Sequence, residues 1–177
     1  MTDAELAQAL KAAAFLEGDF TLRSGRKSRY YLDKYLFETQ PALLRALGER
    51  FARHVTPAID RVAGAELGAI ALAAATSLET GKPFVIVRNA KKAGYGTGKL
   101  IEGRLERGER VLLVEDIATS GGQAVEALQT LRDAGAVVEE VVVVIDRQEG
   151  AREAIEAAGY RFTALFTTTD LGVAPPQ

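Results

Sequence analysis

The chain predicts an α/β protein with a central, mainly parallel sheet flanked by helices, and three observations carry that prediction. Short apolar runs at Arg61–Ala63, Phe84–Arg88, Val111–Glu115 and Val141–Asp146 alternate with helix-period patterns at Gly68–Glu79, Gly122–Ala134 and Ala151–Ala158. That alternation is the order of a parallel sheet with crossover helices. The unbroken valines of "VVVVID" lack polar alternation, as in a central strand covered on both faces. Finally, "VLLVED" leads straight into "IATSGG" and a new helical pattern, which reads as one strand-turn-helix unit.

The remaining elements follow in order. "MTDAELAQALKAAAF" spaces its apolar residues as an amphipathic helix over Asp3–Phe15, and "PALLRALGERFARHV" repeats that spacing over Pro41–Val55 with proline in its first turn. "RFTALF" predicts a last short strand before a Pro-rich tail that frays. Between "FVIVR" and "RVLLVED" lie about twenty residues, "NAKKAGYGTGKLIEGRLERGE", and connections of that length are usually functional. Within them "KLIEG" has strand-forming residues and can pair as a hairpin, whereas "KKAGYGTG" predicts a mobile loop. No internal repeat or compositional break divides the chain, so residues 1–177 are expected to form one domain.

Composition narrows the function classes. Of 177 residues, 47% are hydrophobic and 26% charged, the balance of a globular core rather than a disordered chain. The absence of cysteine excludes a disulfide framework, a thiolate nucleophile and a thiolate metal site, and accords with a reducing cytoplasm. The N-terminus lacks the basic start and apolar run of a signal peptide. No apolar stretch approaches the roughly 18 residues of a membrane span, so a soluble, cytoplasmic protein with no membrane partner is expected. Net charge is −2, yet ten of the 22 basic residues fall in two short segments, Arg23–Lys34 and Arg88–Arg104. Local positive fields of this kind suit a small polyanion. A nucleic-acid partner is not expected, because a broad basic face and interleaved aromatic residues are both missing.

The chemistry concentrates in "VLLVEDIATSGGQAVEAL", residues 111–128. Ligands of open parallel sheets bind beyond the carboxyl ends of the strands, where Glu115, Asp116 and the following turn belong. The turn is neither a Walker A loop nor a dinucleotide fingerprint, since no Gly-Lys-Ser/Thr and no Gly-x-Gly-x-x-Gly occurs. Ala118, Thr119, Ser120, Gly121 and Gly122 can wrap one phosphate with backbone N–H groups and two hydroxyls. The two adjacent acids then need a partner other than phosphate. A ribose supplies it, with hydroxyls that donate to Glu115 and Asp116 while its 5-phosphate fills the turn. The competing reading is a capped strand-turn-helix with solvated acids.

"VLLVEDIATSGG" resembles the 5-phosphoribosyl 1-diphosphate (PRPP) signature of the type I phosphoribosyltransferases. With "FTLRSGRKSRYYLD", "GAELGAIALA", "VRNAKKAGYGTGKLIEG" and "VIDRQEG" in this order and spacing, essentially the whole chain is similar to the orotate phosphoribosyltransferases. "SGRKS-x-YY" discriminates best against purine-specific relatives. The resemblance implies the type I phosphoribosyltransferase fold with a small N-terminal hood over about residues 1–40 and a flexible catalytic loop over about 89–103. It implies that Glu115 and Asp116 hold the ribose hydroxyls and that Thr119, Ser120, Gly121, Gly122 and Gln123 line the 5-phosphate loop. Arg88 and Lys91 or Lys92 would engage pyrophosphate, with Asp116, Arg88 and Lys92 as the catalytic set. Arg23, Tyr31, Thr119 and Arg147 would contact orotate. Magnesium would bridge the ribose hydroxyls and pyrophosphate near Glu115 and Asp116, with no residue assigned as its direct ligand. A homodimer is implied, each loop closing over the neighbouring active site.

Four departures from the family pattern accompany the resemblance, the first being Arg29 in place of the proline often found before the tyrosine pair. Asn89 stands where members commonly carry lysine, Lys92 and Tyr95 are three residues apart rather than two, and Gly68 stands where some members place a pyrophosphate-binding lysine. For Arg147, a salt bridge to Glu149 or Asp146 is the competing reading. His54, the single histidine, is expected to cap or pack, and Tyr30 and Tyr35 to serve core or interface. Two further functions are compatible with the motifs: transfer to another base, and PRPP sensing without turnover.

Overall fold

The computed structural model describes residues 1–21, 25, 27–89 and 99–173. Arg23, Lys91, Lys92 and Tyr95, together with the Pro-rich tail from residue 174, lie outside the described residues. Element by element, the chain runs α1 (Asp3–Ala14), β1 (Phe15–Thr21), β2 (Lys27–Leu32), α2 (Tyr35–Glu38), α3 (Pro41–Ala52), β3 (Arg61–Ala65), α4 (Ala69–Thr80), β4 (Phe84–Val87), β5 (Ile101–Glu102), β6 (Arg110–Ala118), α5 (Gly122–Asp133), β7 (Val137–Asp146), α6 (Ala151–Ala157) and β8 (Arg161–Thr167).

Six strands form one sheet in the order β5-β4-β3-β6-β7-β8. All neighbours are parallel except the β4–β5 pair, where Val87 faces Ile101. The strand pattern of "KLIEG" therefore resolves as a short antiparallel edge. Period two along the strands sorts the side chains between two cores. Leu112, Val114, Val142 and Val144 pack with α1, α3 and Leu72 of α4, whereas Val111, Leu113, Val141 and Val143 pack with Leu128 and Leu131 of α5 and Ile155 of α6. Burial on both faces explains the unbroken valines, although β7 lies one strand in from the edge rather than at the centre.

A feature absent from the sequence-based expectation is the β1–β2 hairpin, a separate antiparallel pair with Phe15 opposite Leu32. In β1 only Phe15 and Phe20 are even partly buried, so it has no alternating signal, and Gly18 sits in a register irregularity. β2 alternates cleanly, with Ser28, Tyr30 and Leu32 inside and Lys27, Arg29 and Tyr31 outside.

Chain order reverses across the sheet between β3 and β6, the crevice where open α/β sheets bind ligands. The strands' opposite end is held by a bidentate pair. Arg61 at the start of β3 donates to both carboxylate oxygens of Glu109 at 2.8 and 2.6 Å. Arg61 is largely buried, and its guanidinium holds the Glu109 carboxyl below the usual range. Truncating Glu109 to alanine strands the arginine, and a cost of about 2 kcal/mol is expected from urea unfolding, below that of a fully buried pair because Glu109 is partly exposed. Among the described residues no helix is long and apolar enough to cross a membrane.

Candidate active site

Four strand ends converge on the switch-point crevice. β3 delivers Glu66–Gly68, β4 delivers Arg88 and Asn89, β6 delivers Glu115 to Ala118, and β7 delivers Arg147. The sheet thereby assembles residues that are dispersed over eighty positions of sequence. Glu115 and Asp116 lie within β6 rather than after it, since the strand runs on to Ala118. Both are buried, at 6% and 4% exposure.

The turn after β6 matches an anion seat. Gly121 adopts φ +80° and opens α5, and no side chain caps that helix, so the first-turn N–H groups have no intrahelical acceptor. A Cβ on Gly121 would meet the Ala151 backbone at 3.1 Å in a conformation that L residues rarely adopt. Ser120, Gly122 and Gln123 are exposed beside it, and Thr119 is half-buried.

Asp116 is enclosed on three sides. Its Oδ1 accepts the Ile117 amide, its Oδ2 lies 2.7 Å from the Lys34 ammonium, and the backbone of Gly68 presses on the same oxygen. A Cβ at Gly68 would fall 1.9 Å from Oδ2. A side chain at position 68 would therefore have to displace the Asp116 carboxylate, whereas the adjacent Leu67 is 67% exposed. A second carboxylate that sequence reasoning missed, Glu38 of α2, lies 3% exposed against the same cluster. Burial, then the neighbouring Asp116 charge, pushes the Glu38 carboxyl up to about 8. The same two causes in the same order push Glu115 up to about 8. Both have an oxygen without a hydrogen-bond partner.

The cations of the crevice are already engaged. Arg88 lies 3.2 Å from Glu102 and 3.8 Å from Glu66. Arg147, 5% exposed, pairs with Glu149 at 2.8 Å and lies over the Tyr30 ring at 5.3 Å. Gln148 braces that turn by accepting from the hydroxyls of Thr168 and Thr169. Tyr30 is thus the tyrosine on the Arg147 side, whereas Tyr31 faces outward, 41% exposed, opposite Leu16. Tyr35 is likewise exposed and Tyr30 is core. His54 lies 3.3 Å from Glu140, remote in sequence from every site residue.

Asn89 is a latch. Its amide donates to the Glu66 carboxylate and its side chain to the Glu66 carbonyl, both at 2.9 Å. Gln123 reaches the same carbonyl at 3.3 Å. The residue standing in place of a lysine thus joins β4 to the β3 turn and to α5. Among the described residues, no three carboxylate or histidine side chains are grouped to cage a metal ion.

A crevice at a parallel switch point, with two buried acids before a glycine turn, is the arrangement of a phosphoribosyl-binding class of fold, and comparison with known proteins agrees. The family model described as a phosphoribosyl transferase domain matches residues 37–162. The orotate phosphoribosyltransferase of Methanocella arvoryzae is 49% identical over 170 residues, covering 96% of this chain and 97% of that one. The crystal structure of the Mycobacterium tuberculosis orotate phosphoribosyltransferase in complex with PRPP superposes with a TM-score of 0.78 at 35% identity, covering 97% and 99% of the two chains. Another structure of that enzyme gives a TM-score of 0.83 at the same identity and coverage. The chain belongs to the phosphoribosyl transferase family, in its orotate phosphoribosyltransferase branch.

Two outcomes follow from this geometry. Because Glu38 is held protonated well above its unfolded value, its share of stability is complete below about pH 4.5 and lost by about pH 8. Thermal unfolding of Glu38→Gln should accordingly decline less than that of the parent between pH 5 and 8. Gly121→Ala should lower the unfolding midpoint by several degrees and abolish phosphate binding at the turn, as read by calorimetry.

Proposed function

We infer that this chain is an orotate phosphoribosyltransferase, a pentosyltransferase that moves the phosphoribosyl group of PRPP onto orotate. The products are orotidine 5'-phosphate and pyrophosphate, a step of pyrimidine (UMP) synthesis. One observation carries the reading: two buried acids lead directly into a glycine turn at a helix N-terminus, in a chain 49% identical to an enzyme of that name.

In this reading the diol of ribose takes Glu115 and Asp116, while the 5-phosphate takes the N–H groups and hydroxyls of residues Thr119, Ser120, Gly121, Gly122 and Gln123. Arg88 and one of Lys91 and Lys92 meet pyrophosphate. Orotate lies near Arg23, Tyr31, Thr119 and Arg147, its carboxylate competing with Glu149 for the planar fork of Arg147. A ring nitrogen of orotate that has already lost its proton to solvent attacks C1, the C1–O bond breaks with inversion, and the electron pair departs with pyrophosphate. Cationic side chains stabilise that growing charge. Glu115 and Asp116 present carboxyl oxygens of the kind magnesium takes and would hold it together with the substrate. When bound, magnesium supplies charge neutralisation at the diphosphate. The segment containing Lys91 and Lys92 is assigned to close over the partner subunit's site in a homodimer, excluding water from an oxocarbenium-like centre. A cytoplasmic setting suits a chain without cysteine.

The deciding experiment is a coupled assay with PRPP and magnesium in which orotate, uracil and adenine compete. Orotate-dependent release of pyrophosphate is expected. Turnover with adenine alone, or none from folded protein, would overturn the reading. Asp116→Asn should raise the KM for PRPP by roughly tenfold or more, the loss of a charged hydrogen-bond acceptor. Of Lys91→Ala and Lys92→Ala, one should depress kcat and the other leave it nearly unchanged.

A further inference from the structure

Lys34 is the site residue that these assignments leave without a task. It lies between β2 and α2, and its ammonium is 2.7 Å from Asp116 Oδ2, with 26% of the Lys34 side chain exposed against 5% for Asp116. The ammonium therefore forms the solvent side of the Asp116 enclosure, whose other sides are the Ile117 amide and the Gly68 backbone. A sugar hydroxyl reaches Oδ2 by displacing that ammonium.

Charge makes the displacement consequential. Glu38 stands beside the same carboxylate at the Gly68 turn and Glu115 precedes it in β6, each buried and each with an oxygen lacking a hydrogen-bond partner. Lys34 is the counter-ion of Asp116, and its charge also favours the ionised form of the two neighbouring acids. The nearby Arg88 is committed to Glu66 and Glu102. A lysine stem is flexible and its ammonium is a compact charge with three donors. PRPP carries its diphosphate on C1, one or two carbons from the ribose hydroxyls that would take Glu115 and Asp116. An ammonium leaving Oδ2 thus meets new negative charge within the swing of its own stem.

We propose that Lys34 is a PRPP-binding residue that exchanges partners, capping Asp116 in the free protein and pairing with the diphosphate once the ribose diol has taken its place. This rests on the assignment of PRPP as donor. It gives the site a cation from the N-terminal segment, supplied without stripping water from an isolated charge, because one ion pair replaces another. The cation then faces the leaving group as its charge develops.

The test is calorimetric titration of full-length protein, in magnesium buffer, with PRPP, inorganic pyrophosphate and ribose 5-phosphate in separate runs. Lys34→Met should lose about tenfold or more in affinity for PRPP and for pyrophosphate, as removal of a charge-assisted contact predicts. Its affinity for ribose 5-phosphate should be unchanged or higher, since Asp116 is uncapped. Lys34→Arg should restore most of the pyrophosphate affinity. Should Lys34→Met fail to show a cooperative thermal transition, Lys34→Gln serves in the same titrations. Pyrophosphate bound as tightly as by the parent would reduce Lys34 to a cap and overturn the proposal. Equal loss of ribose 5-phosphate and pyrophosphate would also overturn it, because Lys34 would then act only by placing Asp116. Failure of the parent protein itself to bind PRPP would instead remove the donor assignment, a separately readable result.

Discussion

The carboxylate of Asp116 is the point on which the site depends. It stands near the end of a strand at the switch point of the sheet, against the start of α4, beneath Lys34 and beside two further acids. Taking three carboxyl groups out of water is costly unless they are protonated, paired or hydrogen-bonded. Here all three devices operate. Glu38 and Glu115 are pushed toward the neutral form by burial, Asp116 is paired with Lys34, and Glu115 and Asp116 take backbone amides. Every neighbour of Asp116 is constrained by this arrangement, including Gly68, where any side chain would collide with Oδ2.

A second regularity follows from the same electrostatics. Lys34, Arg88 and Arg147 each face an internal carboxylate, respectively Asp116, Glu66 with Glu102, and Glu149. A crevice intended for a polyanion would repel its own cations if they stood together unpaired. Internal partners keep them oriented, and under the proposed assignments anionic substrates compete for groups already aimed. On those assignments, binding would be an exchange of ion pairs, in which desolvation has largely been met on folding. The latch of Asn89 on Glu66 serves the same end, joining strand ends with neutral hydrogen bonds where an added cation would otherwise stand.

How much of this was legible in the chain depends on the range of the interactions. The parallel sheet, its crossover helices and the glycine turn were readable because period-two and helical spacing are local properties. Gly121 announces its left-handed conformation, and the order of "VEDIATSGG" places acids against an anion seat. The β1–β2 hairpin was not readable, since β1 buries little and carries no alternation. Arg147 was read as either a substrate fork or a partner of Glu149, and the free chain adopts the second arrangement.

The sequence by itself determined the parallel architecture, the family, and the order of acids, glycine turn and helix over residues 115–123. It could do so because each of those features is written in neighbouring residues. Only the tertiary structure decided that Lys34 and Glu38 join Asp116, that Asn89 holds Glu66, and that Tyr30 rather than Tyr31 lies under Arg147. Those contacts join residues 23 to 117 positions apart: Glu66 and Asn89 meet where β3 and β4 end side by side, and the β2–α2 segment brings Tyr30, Lys34 and Glu38 onto the ends of β6 and β7. Burial there changes what a carboxyl or an ammonium can do, and no local pattern records burial.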